Sequence, residues 1–266
     1  MSRLLHGELV RLAATRLPVW TAVVAVAAGA SITGLLALVG PEHATPPMPG
    51  IDTADGVALV LGINAMLLFL PALIGTVAVT SEYRHRTIGT TFLVAPRRAR
   101  VLVAKLGVYS LVGLAYGAVT AASAGLALAG AAAVRGVPLG VTPAELGALL
   151  VRLALAAAVY TAIGVAIGAL ARHQLVAIGI VLGVFYFLEP LLMLVPGVNA
   201  VYAVLPGGAT AALLASTFLG EAVAAEVPML LAPQHLSAAG GALLLLAYAA
   251  AAAVAAVAVP LRRDLR

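Results

Sequence analysis

Long apolar runs separated by short polar segments dominate this chain. Six runs are long enough to cross a bilayer, at about 18–40, 56–80, 107–134, 146–171, 175–196 and 239–260. A spanning helix takes about 20 apolar residues, because it rises about 1.5 Å per residue and the hydrocarbon core is about 30 Å thick. The runs are much longer than the strands of a membrane barrel, which favours helices. We therefore predict an all-α polytopic membrane protein with six transmembrane helices in a single domain, 1–266.

A shorter amphipathic segment, 1–17, precedes the first apolar run. Its residues Leu5, Leu9 and Leu12 recur at helical spacing, and its charged residues fall mostly on other faces. This pattern is typical of a helix that lies in the membrane interface. The alternative is the charged start of a signal peptide. However, the apolar run that follows is longer than the apolar region of a signal peptide, and no convincing cleavage site ends it.

The apolar segment 201–220 leaves the number of spans open. Hydropathy alone would allow a seventh span there, but Pro206, Gly207 and Gly208 interrupt it. A seventh span would also move the Arg-rich C-terminal tail to the other side of the membrane. We therefore predict a long external loop, 197–238, that carries re-entrant or external helices.

Composition excludes a soluble protein. Hydrophobic residues make up 63% of the 266 residues, charged residues make up only 9%, and the mean hydropathy is +1.13. A soluble domain of this length needs a more polar surface. The chain has no cysteine, so it has neither a disulfide framework nor a thiolate metal site.

The positive charges indicate which loops face the cytoplasm, because cytoplasmic loops are enriched in Lys and Arg. With six spans, thirteen of the fifteen Lys and Arg residues fall on one side: in the N-terminal segment, in 81–106, at Arg172 and in the tail. The other side carries Arg135 and most of the acids. The net charge of +5 is therefore a topology signal, and we predict no nucleic-acid partner. Both termini are expected in the cytoplasm.

Arg152 and Glu189 are the two charged residues within the predicted spans. Charge inside the membrane is expensive, which makes both residues candidates for a translocation path. Both lie toward the outer ends of their helices, so the alternative is that they pair with each other and stabilise two helix ends. Pro190 follows Glu189 and predicts a kink in the fifth span.

Four uncharged polar side chains are also expected at membrane depth: Asn64, Tyr109, Tyr116 and Tyr160. Tyr109 and Tyr116 share a face of the third span and could line a cavity on the translocation path. Tyrosine is equally common at membrane interfaces and in packed helix contacts, which leaves packing as the alternative.

Glycines four residues apart occur as pairs in three of the predicted spans, at Gly113 and Gly117, Gly164 and Gly168, and Gly179 and Gly183. Such pairs let helices approach closely, either within one chain or across a dimer. We expect them to serve helix packing.

The rest of the sequence indicates no catalysis. There is no G-x-x-x-x-G-K-[ST] phosphate loop, the five His residues lack ligand spacing, and no Ser has a nucleophile elbow. We therefore predict no catalytic residue, no metal site and no cofactor bound to this chain.

The segment 81–106, SEYRHRTIGTTFLVAPRRARVLVAKL, concentrates charge in an otherwise apolar chain. It carries six of the fifteen Lys and Arg residues. Glu82 can accept a hydrogen bond from Arg86, one helical turn later.

A short apolar stripe then follows, formed by Ile88, Phe92 and Ala95. The stripe predicts a helix that lies along the cytoplasmic face and ends at Pro96. The alternative is that the basic residues serve only as a topology signal and contact lipid phosphates.

Four stretches together resemble a type-2 ABC-transporter permease, the six-span membrane subunit of a bacterial exporter. They are GELVRLAATRLPVW, SEYRHRTIGTTFLVAPRRARVLVAKL, RHQLVAIGIVLGVFYFLEPLL and LPGGATAALL, and 81–106 is the most specific of them. The resemblance implies a coupling helix between spans two and three that docks into an ATP-binding subunit. Its implied contact residues are Glu82, Arg84, Arg86, Ile88, Phe92, Arg97 and Arg98. The stretch departs from the family's usual acid and Gly-Thr pattern, because Thr87-Ile88-Gly89 interrupts it.

The resemblance also implies partners. Because this chain has no phosphate loop, ATP and Mg would be bound by a separate cytoplasmic ATPase subunit, in two copies. Six spans form half a translocation path, so a second permease would complete it among the lipids of the bacterial cell membrane, either as a homodimer or as a related second chain. ATP-driven closure of the ATPase subunits would rock the permeases between two states.

The expected function is therefore passage of an amphipathic or hydrophobic substrate, in the direction of export. Two alternatives are open. A membrane-embedded lipid-modifying enzyme would need clustered polar residues at one depth, and we expect Asn64, Arg152, Tyr160 and Glu189 to be dispersed. A membrane sensor or scaffold would use 81–106 to recruit a partner that is not an ATPase.

Overall fold

The computed structural model describes residues 2–14, 16–45, 47–85, 98–171, 173–216 and 236–258. Within these ranges the chain is almost entirely helical and has no strand. The α-helices are α1 (Ser2–Ala13), α2 (Leu17–Val39), α3 (Ala54–Gly62), α4 (Phe69–Arg84), α5 (Arg98–Arg135), α6 (Pro143–Ala171), α7 (Gln174–Leu182), α8 (Glu189–Met193), α9 (Asn199–Tyr202), α10 (Pro206–Leu213) and α11 (Ala238–Ala258).

Six helical segments in the described part are long and apolar enough to cross a membrane, which confirms the predicted fold class. They are Val19–Val39, Ala54–Arg84, Ala99–Arg135, Pro143–Ala171, Gln174–Met193 and Ala238–Ala258, and we call them the first to sixth spans. The fourth span is the central one, because it packs against the second, third and sixth spans. The first, fifth and sixth spans keep most of their apolar surface outside the bundle, as lipid-facing helices do.

The third span begins earlier than hydropathy predicts. The sequence places its start at residue 107, whereas α5 runs without interruption from Arg98 and has 38 residues. At about 1.5 Å per residue the helix is about 57 Å long, nearly twice the thickness of a hydrocarbon core. The last third of the predicted 81–106 loop is therefore part of a helix that continues beyond the apolar region.

The second span is broken near its middle. A 3-10 segment, Ile63–Leu67, separates α3 from α4. Pro71 explains the break, because it lacks an N–H and its ring would collide with the Leu67 carbonyl in a continuous α-helix. Asn64 lies in this break and donates from Nδ2 to the Leu61 carbonyl oxygen at 3.1 Å.

The fifth span changes helix type before Pro190. The segment Gly183–Leu188 is π-helical and joins α7 to α8. In a regular α-helix the Pro190 ring would collide with the Tyr186 carbonyl, so a wider turn at this point relieves the clash. The kink predicted from Pro190 thus corresponds to a local change of helix type.

Two of the three glycine pairs pack within the chain. Gly113 and Gly117 lie directly against the fourth span at Ala157 and Ala154, and Gly164 lies against the backbone of Ala72 in the second span. A side chain at any of these glycines would collide with the neighbouring helix.

The third glycine pair is different. Neither Gly179 nor Gly183 has an atom within 4 Å of the position that a Cβ would occupy. Among the described residues, this pair therefore takes no part in helix packing.

Arg135 closes the end of the bundle where α5 ends, which we call the Arg135 end. Its Nη1 donates to the Ala37 carbonyl oxygen at 2.9 Å, and its Nη2 is bonded to Glu42. A backbone hydrogen bond at Glu42, together with Arg135, holds the pKa of that carboxyl below its usual range. The α5–α6 turn packs on the same end, where Gly140 donates to the Ile51 carbonyl oxygen at 2.9 Å.

Candidate functional site

The short helix α10 lies among the spans and carries the first candidate site. It has eight residues and is about 12 Å long, so it is too short to cross a membrane. Ala209 and Thr210 on α10 are fully buried, and the Ala209 carbonyl lies against Gly241 of the sixth span. The segment that hydropathy could assign to a seventh span thus contains a short helix packed into the core.

Glu189 binds the N-terminal end of α10. Its Oε2 accepts a hydrogen bond from the backbone N–H of Gly207 at 2.6 Å, and its side chain is only 3% exposed. The first N–H groups of a helix have no partner within the helix, and the helix dipole makes this end favourable for a carboxylate.

Arg152 binds the opposite end of α10. Its Nη1 donates to the carbonyl oxygen of Leu213, the last residue of the helix, over a long 3.4 Å. A guanidinium at this end satisfies an otherwise free carbonyl and complements the negative end of the helix dipole. The two charged residues within the spans therefore hold the two ends of one short helix.

Tyr160 binds α10 between these ends. The hydroxyl of Thr210 donates to the Pro206 carbonyl oxygen at 2.7 Å, so the Tyr160 hydroxyl is the donor in its 3.1 Å bond to Thr210 Oγ1. Both side chains are buried. This bond fixes the rotation of α10 about its own axis against the fourth span.

The structure corrects two expectations about these residues. Within the described part of the chain, no ion pair joins Arg152 to Glu189, since each binds a different end of α10. The second expectation was that Asn64, Arg152, Tyr160 and Glu189 lie far apart. Three of them, Arg152, Tyr160 and Glu189, instead converge on α10. The physical reason is the return of the chain into the bundle at α10, whose backbone and Thr210 hydroxyl supply the partners.

We predict that Arg152 and Glu189 contribute independently to stability. Arg152→Met should lower the free energy of unfolding by about 1 kcal/mol, the scale of a cation at a helix C-terminus. Combined with Glu189→Gln, the two effects should add to within about 0.5 kcal/mol, because the ends of α10 are about 12 Å apart. A double-mutant cycle on unfolding in detergent tests this. A coupling energy above about 1 kcal/mol would indicate a direct ion pair and contradict the assignment.

The remaining polar candidates serve packing between helices. Asn64 Nδ2 donates to Thr33 Oγ1 at 2.8 Å and so joins the first and second spans. Tyr109 and Tyr116 are both buried, but in different apolar clusters. They therefore belong to separate packing regions of the bundle.

A cavity of about 280 Å³ lies beside the start of α10, between the fourth, fifth and sixth spans. Its wall is almost entirely apolar and includes Ile163, Phe185, Leu188, Pro206 and Tyr248. Glu189 is the one charged residue among the described residues that line it. Of the residues predicted to line a translocation path, Glu189 alone is in this wall.

The second candidate site lies at the other end of the bundle and is centred on Lys105. The Lys105 Nζ is 2.7 Å from Glu8 Oε1 and 2.6 Å from Glu82 Oε1. The Lys105 side chain is 2% exposed and that of Glu82 is 0% exposed. We call these three residues the Lys105 cluster.

The Lys105 cluster joins three helices. Glu8 belongs to α1, Glu82 to the last turn of α4 and Lys105 to the first turns of α5. One ammonium group with two carboxylates is a charge-assisted network, in which each hydrogen bond is stronger than a neutral one. The cluster therefore fixes α1 to both helices that flank the segment 86–97.

Three of the seven predicted coupling residues lie in the described part of the chain. Glu82 is buried in the Lys105 cluster, and exposed Arg84 donates from Nη1 to Gln174 Oε1 at 3.2 Å. Arg98 is the first residue of α5. Four residues, Arg86, Ile88, Phe92 and Arg97, lie outside the described residues, as does the predicted Glu82–Arg86 bond.

Burial changes the role expected for Glu82. Its carboxylate contacts Lys105 within this chain and is not on the surface. A direct contact between Glu82 and an ATP-binding subunit stays a prediction, and it would require this carboxylate to leave the Lys105 cluster.

The sequence analysis did not predict which residues bind each other at either site. Glu8 is the only acid in the N-terminal segment, and Lys105 is the only Lys in the chain, which was the available signal for their pairing. Nothing comparable marks Gly207 or Thr210, because they act through a backbone N–H and a short hydroxyl.

Comparison with protein-family models and with curated proteins found no match to this chain. In the part of the chain that the structure describes, no group of three or more His, Asp or Glu side chains lies close enough to hold a metal ion. The two sites are therefore interpreted from their geometry alone.

Proposed function

We propose that this chain is the transmembrane permease subunit of an ABC transporter, which exports an amphipathic or hydrophobic substrate and is powered by a separate ATP-binding subunit. Two such ATPase subunits would bind ATP and Mg, and a second permease would complete the path as a homodimer. The observation that carries the proposal is the Lys105 cluster, which binds together the helices on both sides of 86–97.

The Lys105 cluster makes this end of the bundle suited to receive a force. The segment 86–97 connects the end of α4 to the start of α5, and Lys105 ties these helix ends to each other and to α1. Displacement of the segment would therefore move the three helices together. Packed helices transmit such a displacement because their contacts do not deform continuously.

The close contact between the second and fourth spans would transmit this displacement further into the bundle. Gly75 lies against the backbone at Thr161, and Gly164 lies against that of Ala72. With so little space between the two backbones, a movement of α4 carries the fourth span with it. The fourth span in turn holds α10 through Arg152 and Tyr160.

The charge distribution supports a cytoplasmic position for 86–97. The segment 81–106 carries six of the fifteen Lys and Arg residues, and cytoplasmic loops are enriched in them. In the proposed topology both termini lie in the cytoplasm of a bacterial cell. The basic residues would steer the loop toward an acidic groove on the ATP-binding subunit, whereas Ile88 and Phe92 would fill an apolar part of it.

Phe92→Asp should reduce recovery of the ATP-binding subunit at least tenfold, because it places a charge in the apolar stripe that the proposed groove would bury. The tagged chain is purified from its native membrane, and the copurifying ATP-binding protein is identified by its phosphate loop and quantified. His43→Asp introduces the same acid at an exposed position in the 3-10 turn Pro41–His43 at the Arg135 end and should leave recovery unchanged. Full recovery with Phe92→Asp would refute the proposed docking segment.

A further inference from the structure

We propose that the cavity beside α10 binds a small lipophilic cation, namely a monoamine with a compact apolar body, and that Glu189 binds its ammonium group. Nothing in this inference depends on the proposed transport function. It concerns a site within one chain, and binding can be measured without an ATP-binding subunit.

The unmatched charge of Glu189 is the first observation. Its Oε2 is bonded to the Gly207 N–H, whereas its Oε1 is buried and has no hydrogen-bond partner among the described residues. A buried carboxylate with an unmatched oxygen is costly unless a cation, a donor or a proton reaches it. The described wall of the cavity holds no Lys, Arg or His that could do so.

Arg152 does not compensate that charge in the described part of the chain. Its guanidinium binds the Leu213 carbonyl, at the far end of α10 and about 12 Å from Gly207 along the helix. The N-terminal dipole of α10 offsets part of the Glu189 charge, equivalent to about half an elementary charge. The carboxylate of Glu189, whose residue forms part of the cavity wall, is therefore only partly compensated by the described residues.

The size and the apolar side chains of the cavity indicate what kind of ligand body would fit. The cavity measures about 280 Å³, which is at the small end of ligand pockets. Phe185 and Tyr248 supply aromatic rings, and rings of this kind attract organic cations. The Tyr248 hydroxyl already donates to the Val204 carbonyl oxygen at 2.8 Å, so the wall offers few other polar contacts.

Other ligand classes fit this chemistry poorly. An anion would meet the Glu189 charge in an apolar surrounding, where repulsion is strong. A metal ion such as Mg²⁺ or Ca²⁺ needs several oxygen ligands, and the described wall of the cavity has one carboxylate. An ammonium group on an apolar body matches both the single carboxylate and the apolar wall.

Three probes that share one cage test the inference: 1-adamantylammonium, 1-adamantanol and 1-adamantanecarboxylate. Each is titrated calorimetrically into the purified chain in detergent, and partition into empty micelles is subtracted. The wild-type chain should bind the ammonium at least about tenfold more tightly than the alcohol, as expected for a charge-assisted bond, and should not bind the carboxylate. Equal affinity for the ammonium and the alcohol would overturn the proposal and indicate a protonated Glu189.

Two variants test the Glu189 carboxylate and the cavity volume separately. Glu189→Gln keeps an acceptor for Gly207 and should abolish the preference for the ammonium, whereas Asp55→Asn, which removes an exposed carboxylate in α3, should keep it. Ala252→Leu fills the cavity from the sixth span and should weaken binding of the ammonium and the alcohol alike. A preference that survives Glu189→Gln, or tight binding that survives Ala252→Leu, would refute the site. If Glu189→Gln does not fold, the Ala252→Leu result decides alone.

Discussion

Lys105→Met is expected to lower the free energy of unfolding by about 3–5 kcal/mol, the cost of removing one partner of a buried charge network. The substitution keeps the length and the apolar stem of the side chain but removes the ammonium. The carboxylates of Glu8 and Glu82 would then lose the buried cation that they contact at 2.7 and 2.6 Å. A loss of this size is a large part of the total stability of a domain.

Thermal unfolding of the purified chain in detergent measures this loss. The matched control is Arg100→Met, which removes an exposed cation from the same part of α5. It should change the free energy of unfolding by less than about 0.5 kcal/mol. Equal effects of the two substitutions would mean that the Lys105 cluster does not hold the helices together.

Removing all three charges tests the cause of the loss. Lys105→Met combined with Glu8→Met and Glu82→Met should recover much of the stability, because a buried ion network replaced by apolar residues of similar volume is often close to neutral. The same triple variant should couple poorly to an ATP-binding subunit, since α1 would no longer be fixed to α4 and α5 by charge. The two added substitutions would then restore stability without restoring coupling.

The sequence could predict the spans because hydropathy reports contact with lipid directly. The first and sixth spans, Val19–Val39 and Ala238–Ala258, agree with their predicted ranges to within about two residues. The predicted third span is too short because Arg98, Arg100 and Lys105 lie before the apolar run and delay its start. Lys and Arg are good helix formers, so the helix continues where the hydropathy falls.

The partners of the charged residues could not be predicted in the same way. Arg152 and Glu189 bind a carbonyl oxygen and an N–H of α10. Every residue except proline offers both groups, so the sequence gives no sign of which backbone atom is the partner. The Lys105 cluster is different in kind, because its partner Glu8 is an identifiable acid that lies 97 residues away along the chain.

Gly164→Leu should prevent the second and fourth spans from packing and cost more than about 3 kcal/mol, beyond the usual range for overpacked cores. Even a Cβ at Gly164 would overlap the carbonyl of Ala72. The obstacle is backbone, so no rotamer change can make room, and the two helices must separate. Because α10 is held by the fourth span, the cavity beside it should be lost as well.

Gly179→Leu provides the matched control, since it makes the same change in a glycine pair of the fifth span. Nothing lies within 4 Å of its Cβ position, and a leucine there would contact lipid and also favour the helix by about 1 kcal/mol over glycine. The free energy of unfolding of a single chain should therefore be unchanged or slightly higher. Measured side by side in detergent, equal losses for the two variants would contradict the close packing of Gly164. A loss confined to Gly164→Leu would show that the same sequence motif serves different purposes in the two spans.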